Sequence, residues 1–161
     1  MTNEDQDVLD RVSAELKPLE LFLKHNQNYD YYIRQTENSR RSILRQELQR
    51  LNLNNTNSAT KFIPNEYLFD SVNNRLELLK GIIDTDGYCE GTSYDICLKS
   101  QQLILDIKHL VESLGMTATY SEKCAKCSNS KNYDCGSVYR LHIKTTEIIQ
   151  KIHSSARREK Q

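Results

Sequence analysis

Apolar and polar positions along the chain change their period several times, and each change marks an element. Val8, Leu9, Val12 and Leu16 recur at helical spacing from Asp7 to Leu16. Pro18 ends the run, because its ring disfavours helix in the residue before it. Leu19 to Lys24 and Tyr29 to Thr36 are apolar and aromatic stretches separated by His25-Asn26-Gln27-Asn28, the layout of a β-hairpin. Ile43, Leu44, Leu48 and Leu51 form one helical stripe, with Thr36 or Ser39 as its expected cap. Asn52 to Thr60 predicts a loop, since its Asn, Ser and Thr side chains bond to nearby backbone and compete with regular structure.

A second unit starts after Lys61-Phe62-Ile63-Pro64. Leu76, Leu78, Leu79, Ile82 and Ile83 predict a helix apolar around much of its girth, hence buried, ending at Asp84-Thr85-Asp86-Gly87. From Ser93 to Lys99 the chain alternates, with Ile96 and Leu98 on one face and Asp95, Cys97 and Lys99 on the other. Ser100 caps the next helix, whose Leu103, Ile107, Leu110, Val111 and Leu114 run up to Gly115 as the stop. Met116, Ala118 and Tyr120 then alternate with Thr117, Thr119 and Ser121, and Tyr139, Leu141 and Ile143 with Arg140, His142 and Lys144. A last helix carries Ile148, Ile149 and Ile152. Each unit thus reads helix, strand, strand, helix and basic exit, and Tyr29 to Thr36 coincides with Tyr139 to Thr146 at a Tyr, an Ile, a basic residue and a Thr. The first unit lacks the helix and leading strands that open the second, so the chain is expected to hold one repeat preceded by part of another.

At 161 residues, 37% apolar and 27% charged, the chain suits one compact domain or two small halves and is not of disordered composition. No apolar run approaches the roughly 18 residues of a membrane span, and the start MTNEDQDVLD has no signal-peptide layout. An intracellular protein, cytoplasmic or nuclear, with no membrane partner is expected. The net charge of zero hides an uneven distribution. Acids dominate from Glu4 to Glu20, whereas Arg34, Arg40, Arg41, Arg45, Arg50 and Lys61 outnumber Glu37 and Glu47, and the tail from Arg140 is basic again. Basic runs can meet phosphates, although they are more often solvated helix faces. Five cysteines argue against a full disulfide framework. Cys124, Cys127 and Cys135, with His142, are enough for part of a zinc site, against the commoner reading of a loop with reduced thiols.

Leu79-Lys80-Gly81-Ile82-Ile83-Asp84-Thr85-Asp86-Gly87 resembles the signature of the LAGLIDADG homing endonucleases at the Leu, the Gly, both Asp and the final Gly. Read without the family, Gly81 lets two helices approach closely, and the acidic end emerges at the base of a sheet. A carboxylate there can hold Mg²⁺, which prefers oxygen ligands and assists phosphodiester cleavage. The other reading of a bare D-x-D-G is an Asx-type turn ending a core helix. Lys61-Phe62-Ile63-Pro64 is similar to the K-x-I-P block of the intein-borne branch, and Ser113-Leu114-Gly115 to the end of its middle helix.

The resemblance implies an α+β fold, an αββαββα repeat used twice around an antiparallel saddle sheet. Residues 1–65 correspond to the C-terminal part of a first repeat and 66–161 to a second, near-complete one. It implies an intein-associated enzyme of protein-splicing context that hydrolyses double-stranded DNA at a specific site, with Mg²⁺ or Mn²⁺ held at Asp86 and Gly87. Lys61 then lies near the scissile phosphate, with Lys160 as its pseudo-symmetric counterpart in competition with Arg157 and Arg158. Lys80 replaces a small Ala of the pattern, which requires that position to face away from a helix pair. Cleaving two strands needs two acids, and the sequence holds one such motif. The expected partner is the N-terminal half of the same protein or a second copy, joined through the motif helix. The alternative is an inactive DNA-binding module of the same fold.

Strand alternation also puts Asp95, Cys97, Lys99, Thr117, Thr119, Ser121, Arg140, His142 and Lys144 on one outer face. These are candidates for reading base edges in the major groove, or an ordinary solvated face. Tyr29, Tyr31 and Tyr32 are candidates for stacking on bases, or for plain cross-strand packing.

Overall fold

A computed structural model of the chain describes residues 2–36, 42–90, 93–126 and 134–144, in two units that divide between Asn54 and Asn55. In the first, α1 (Gln6–Leu16) starts where the Asp5 carboxylate accepts the Asp7 N–H, and it buries Val8 and Leu9. Pro18 lies in a single 3-10 turn, Lys17–Leu19, where its fixed φ is compatible. Strands β1 (Leu21–His25) and β2 (Tyr31–Gln35) pair antiparallel with Leu23 opposite Ile33. The helix α2 (Ile43–Arg50) opens at Ser42 with no side-chain cap bond. This corrects the expectation for Thr36, whose hydroxyl instead donates to the Glu20 carbonyl at 2.9 Å and closes the end of the hairpin. Ser39 lies outside the described residues. In β2, Tyr31 and Ile33 are half-buried while Tyr32 and Arg34 are exposed.

The second unit runs α3 (Asn65–Leu68), α4 (Val72–Asp86), β3 (Gly87–Glu90), β4 (Ser93–Leu98), α5 (Gln101–Ser113), β5 (Thr117–Lys126) and β6 (Asp134–Lys144). Its strands form one antiparallel sheet in the order β3-β4-β6-β5. Leu79 and Ile83 of α4, Ile104, Ile107, Leu110 and Val111 of α5, and Tyr94, Ile96, Leu141 and Ile143 of the sheet make one core. Each such side chain contributes about 1.5–3 kcal/mol by leaving water. The fold is therefore α+β with antiparallel sheets, as expected. Among the described residues no helix is long and apolar enough to cross a membrane. The expected last helix, with Ile148, Ile149 and Ile152, lies outside them.

Helix ends obey their local chemistry. Ser100 accepts the Leu103 N–H at 3.1 Å and caps α5. At the other end Gly115 takes φ +80°, while its N–H bonds to Glu112 and that of Met116 to Val111, a complete Schellman motif. The end of α4 departs from expectation. The helix continues through Asp86, because the Gly87 N–H still reaches the Ile83 carbonyl and the Thr85 hydroxyl donates back to Gly81 at 3.0 Å. Asp84 to Gly87 is therefore not a separate turn, and the chain passes directly into β3.

One further expectation changes. On α4 only Leu79 and Ile83 are buried, Leu76, Leu78 and Ile82 are half-buried, and Gly81 and Thr85 are exposed, because α5 and the sheet cover one side of the helix. Gly81 receives no close approach: a Cβ there meets nothing within 4 Å among the described residues. The segment from Lys61 to Pro64 is bonded into the second unit through the Lys61 carbonyl and the Ile63 N–H.

Candidate functional site

The absence of a loop between α4 and β3 fixes where the last carboxylate of the helix goes. Gly87 pairs with Ile96, so Asp86 ends the helix beside Cys97 at the edge of the sheet's open face. Asp86 is exposed and, with Tyr88, Asp95, Cys97, Lys123 and Arg140, lines an open pocket of about 370 Å³. Gly87 makes the junction possible by its size, since a Cβ there would stand 2.6 Å from the Ile83 carbonyl oxygen.

Register then assembles the open face in rows. Tyr88 lies opposite Asp95, Asp95 opposite His142, and His142 opposite Thr119. In the next row Cys97, Arg140 and Ser121 are neighbours, and at the other end Lys144 lies beside Ser93 and Thr117. Eight of the nine residues expected on this face share it. Lys99 does not, because β4 ends at Leu98 and Lys99 sits exposed in the bend before Ser100. Tyr88 and Lys123 were not anticipated. The four residues of β3 carry no alternation, and that of β5 fades where Glu122 and Lys123 are both polar.

The middle of the face is an ion cluster. Asp95 accepts from Arg140 Nε at 3.0 Å and from a second guanidinium nitrogen, and its Oδ1 lies 3.0 Å from His142 Nδ1. Arg140 holds the Asp95 carboxyl below the usual carboxylate range, against an opposing effect of burial and with a smaller contribution from His142. Asp95 is thus committed to its neighbours, and Arg140 is held in one orientation beside Asp86.

Asp84 and Asp86 share the last turn of α4, which has no basic residue. The helix dipole disfavours carboxylates at that end. Among the described residues no group of three or more His, Cys, Asp or Glu is placed to hold a metal.

The remaining expected residues are scattered. Lys61 is exposed and does not line the Asp86 pocket. Lys160, Arg157, Arg158 and Cys127 lie outside the described residues, and so do the side chains of Cys124 and Cys135. Lys80 pairs with Glu77, off the stripe of Leu78, Gly81, Ile82 and Thr85. In the first unit Tyr29 and Tyr32 are exposed, while Tyr31 meets the His25 ring edge-on at 5.2 Å.

A carboxylate delivered by a core helix onto the acid- and base-lined open face of an antiparallel sheet defines an α+β protein with a polar surface site. The chain belongs to the homing endonuclease family, whose model, described as "Homing endonuclease", matches residues 62–161. The chain is also similar to a protein of Mycobacterium intracellulare named "Replicative DNA helicase DnaB", at 37% identity over 73 residues. That stretch is 45% of this chain and 13% of the helicase, so the chain spans a small part of that relative.

Proposed function

We propose that the chain is a site-specific endonuclease domain of the LAGLIDADG type, carried by an intein, and that Asp86 is the carboxylate around which it hydrolyses double-stranded DNA. The observation that carries this reading is the delivery of Asp86 from the last turn of α4 into the pocket on the open sheet face. The donor chemistry fits Mg²⁺ or Mn²⁺, because magnesium is bound through one or two carboxylates together with water and substrate phosphates rather than by an all-protein cage. Such an ion, when bound, supplies positive charge to the attacking and leaving oxygens. Gly87 keeps Asp86 at the junction. Arg140, held by Asp95, and Lys123 draw the phosphate into the pocket, and Lys61 acts near the scissile phosphate with Lys160 as its counterpart. Cys97, Thr117, Thr119, Ser121, His142 and Lys144 face the groove, and Lys99 meets backbone beside it.

The second acid comes from a partner. Leu78, Gly81, Ile82 and Thr85 recur at i, i+3, i+4 and i+7 along a flank of α4 that is exposed at Gly81 and Thr85 and half-buried at Leu78 and Ile82, the spacing of a helix-pairing stripe. It receives the motif helix of an N-terminal half or of a second copy, completing the αββαββα pair. The short match to a long helicase supports an inserted module, which is how an intein-borne nuclease sits in its host.

A plasmid pool with randomised inserts, incubated with Mg²⁺, tests the reading. The cleaving assembly is expected to linearise a defined subset, and Asp86→Asn to bind that subset without cutting it. Undiminished cutting by Asp86→Asn sinks the assignment. The single motif favours a second reading, a DNA-binding module without cleavage, and binding with no nicking by the wild type in either assembly establishes that one.

A further inference from the structure

Ser100 and Asp106 are the two buried polar side chains among the described residues, and both bind the same stretch of irregular backbone. The Ser100 hydroxyl donates to the Lys61 carbonyl at 2.6 Å while accepting the Leu103 N–H. Six residues after Ser100, in the next turn of α5, Asp106 accepts the Ile63 N–H at 2.8 Å through one oxygen and a Gln102 Nε2 N–H at 2.8 Å through the other. Ile63 is anchored in the core, and the Lys61 N–H is bonded to the Asn57 carbonyl at 3.1 Å. The backbone from Lys61 to Ile63 is thus tied at three polar points and one apolar point, yet the Lys61 side chain is exposed.

Burying a carboxylate is costly unless each oxygen is bonded. An apolar residue at 106 would fill the same space without that cost, so Asp106 serves the segment it holds rather than the helix that bears it, while Ser100 both caps α5 and holds that segment. Ser100 joins that segment to the strand that carries Asp95 and Cys97, because β4 ends at Leu98, two residues before it. Pre-set geometry matters for a cation that must meet a phosphate, since a displacement of about 1 Å can cost on the order of 100-fold in rate.

We infer that Ser100 and Asp106 are positioning residues for Lys61: they fix its backbone so that its ammonium is presented to the phosphate during cleavage. The inference rests on the role proposed for Lys61, and its test separates the two. In the cleaving assembly, on the plasmid selected above, single-turnover rates and DNA affinity are measured for Lys61→Ala, Ser100→Gly, Asp106→Leu and Asp106→Asn. Glycine is a good N-cap, so Ser100→Gly keeps α5 capped while losing the tether. Ser100→Gly and Asp106→Leu are expected to slow cleavage at least tenfold with DNA affinity within twofold, and to speed hydrogen exchange at the Ile63 amide. Asp106→Asn, whose amide oxygen can still accept that N–H, should restore most of the rate.

In a Lys61→Ala background Ser100→Gly should add nothing, because the tether acts through Lys61. An equal loss in both backgrounds, or unchanged cleavage by Ser100→Gly while Lys61→Ala is slow, overturns the positioning role and leaves Lys61 intact. Unchanged cleavage by Lys61→Ala removes the role of Lys61 and the inference with it. Should Asp106→Leu not fold, Ser100→Gly alone decides.

Discussion

Gly87 and Asp95 show how much of this site rests on single residues. The φ of Gly87 is −85°, open to any amino acid, so glycine is required there for space, with the Ile83 carbonyl oxygen only 2.6 Å from a would-be Cβ. Gly87→Ala is expected to destabilise the second unit by about 1–3 kcal/mol, the usual cost of overpacking, read as a lower melting temperature. Asp95 ties stability to pH. Its carboxyl is held below the ordinary value of 3.8, first by the hydrogen bond from Arg140. A depressed folded-state pKa contributes stability above the unfolded value, and that contribution disappears as the pH falls through the folded one. Wild type and Asp95→Asn should therefore differ in denaturant midpoint at neutral pH, begin to converge as the pH falls below about 4, and meet only below the depressed folded value. A difference that persists in acid would remove the ion cluster as its cause.

Two helix ends carry opposite lessons. The end of α5 is built for stability, with Gly115 at φ +80° inside its Schellman motif. Gly115→Ala should cost about 1–2 kcal/mol, the penalty of a left-handed conformation for a residue with a Cβ. The end of α4 instead places Asp86 at the negative end of the helix dipole, in a last turn that has no basic residue. Asp86→Asn is expected to raise the melting temperature while abolishing cleavage, a trade typical of functional sites. A lowered melting temperature would mean that Asp86 is a structural residue. Both helices were legible in the sequence through their 3.6-residue period and their glycines. The absent turn at Asp84 was not, because nothing in D-T-D-G says whether the helical hydrogen bonds stop before it or run through it.

For the molecule as a whole, zero net charge leaves any affinity for DNA to the local placement of cations. If Lys99 meets the backbone as proposed, Lys99→Ala should lower the slope of log affinity against log salt by about one, measured by titration at several salt concentrations. An unchanged slope takes Lys99 off the interface. Pairing is decided at the same scale. Because a Cβ at Gly81 meets nothing within 4 Å among the described residues, Gly81→Leu should stabilise the chain alone by roughly 0.5–1 kcal/mol through helix propensity, and yet block partner binding and cleavage. Sedimentation with and without the partner half reads the second effect, and pairing that survives the substitution excludes this flank as the contact.

Local periodicity in the sequence determined which residues are helical, which are extended, and which side of β4, β5 and β6 faces out, because these depend on neighbours a few positions away. The match that places the chain in its family, over residues 62–161, is likewise a property of the sequence. Only the tertiary structure decided that Asp95, Arg140 and His142 bond to one another, that Lys123 and Tyr88 join Asp86 in one pocket, and that two buried side chains of α5 hold the segment bearing Lys61. Those facts depend on strand register and on contacts between residues about 40 positions apart, and no local pattern encodes which distant partner a side chain will meet.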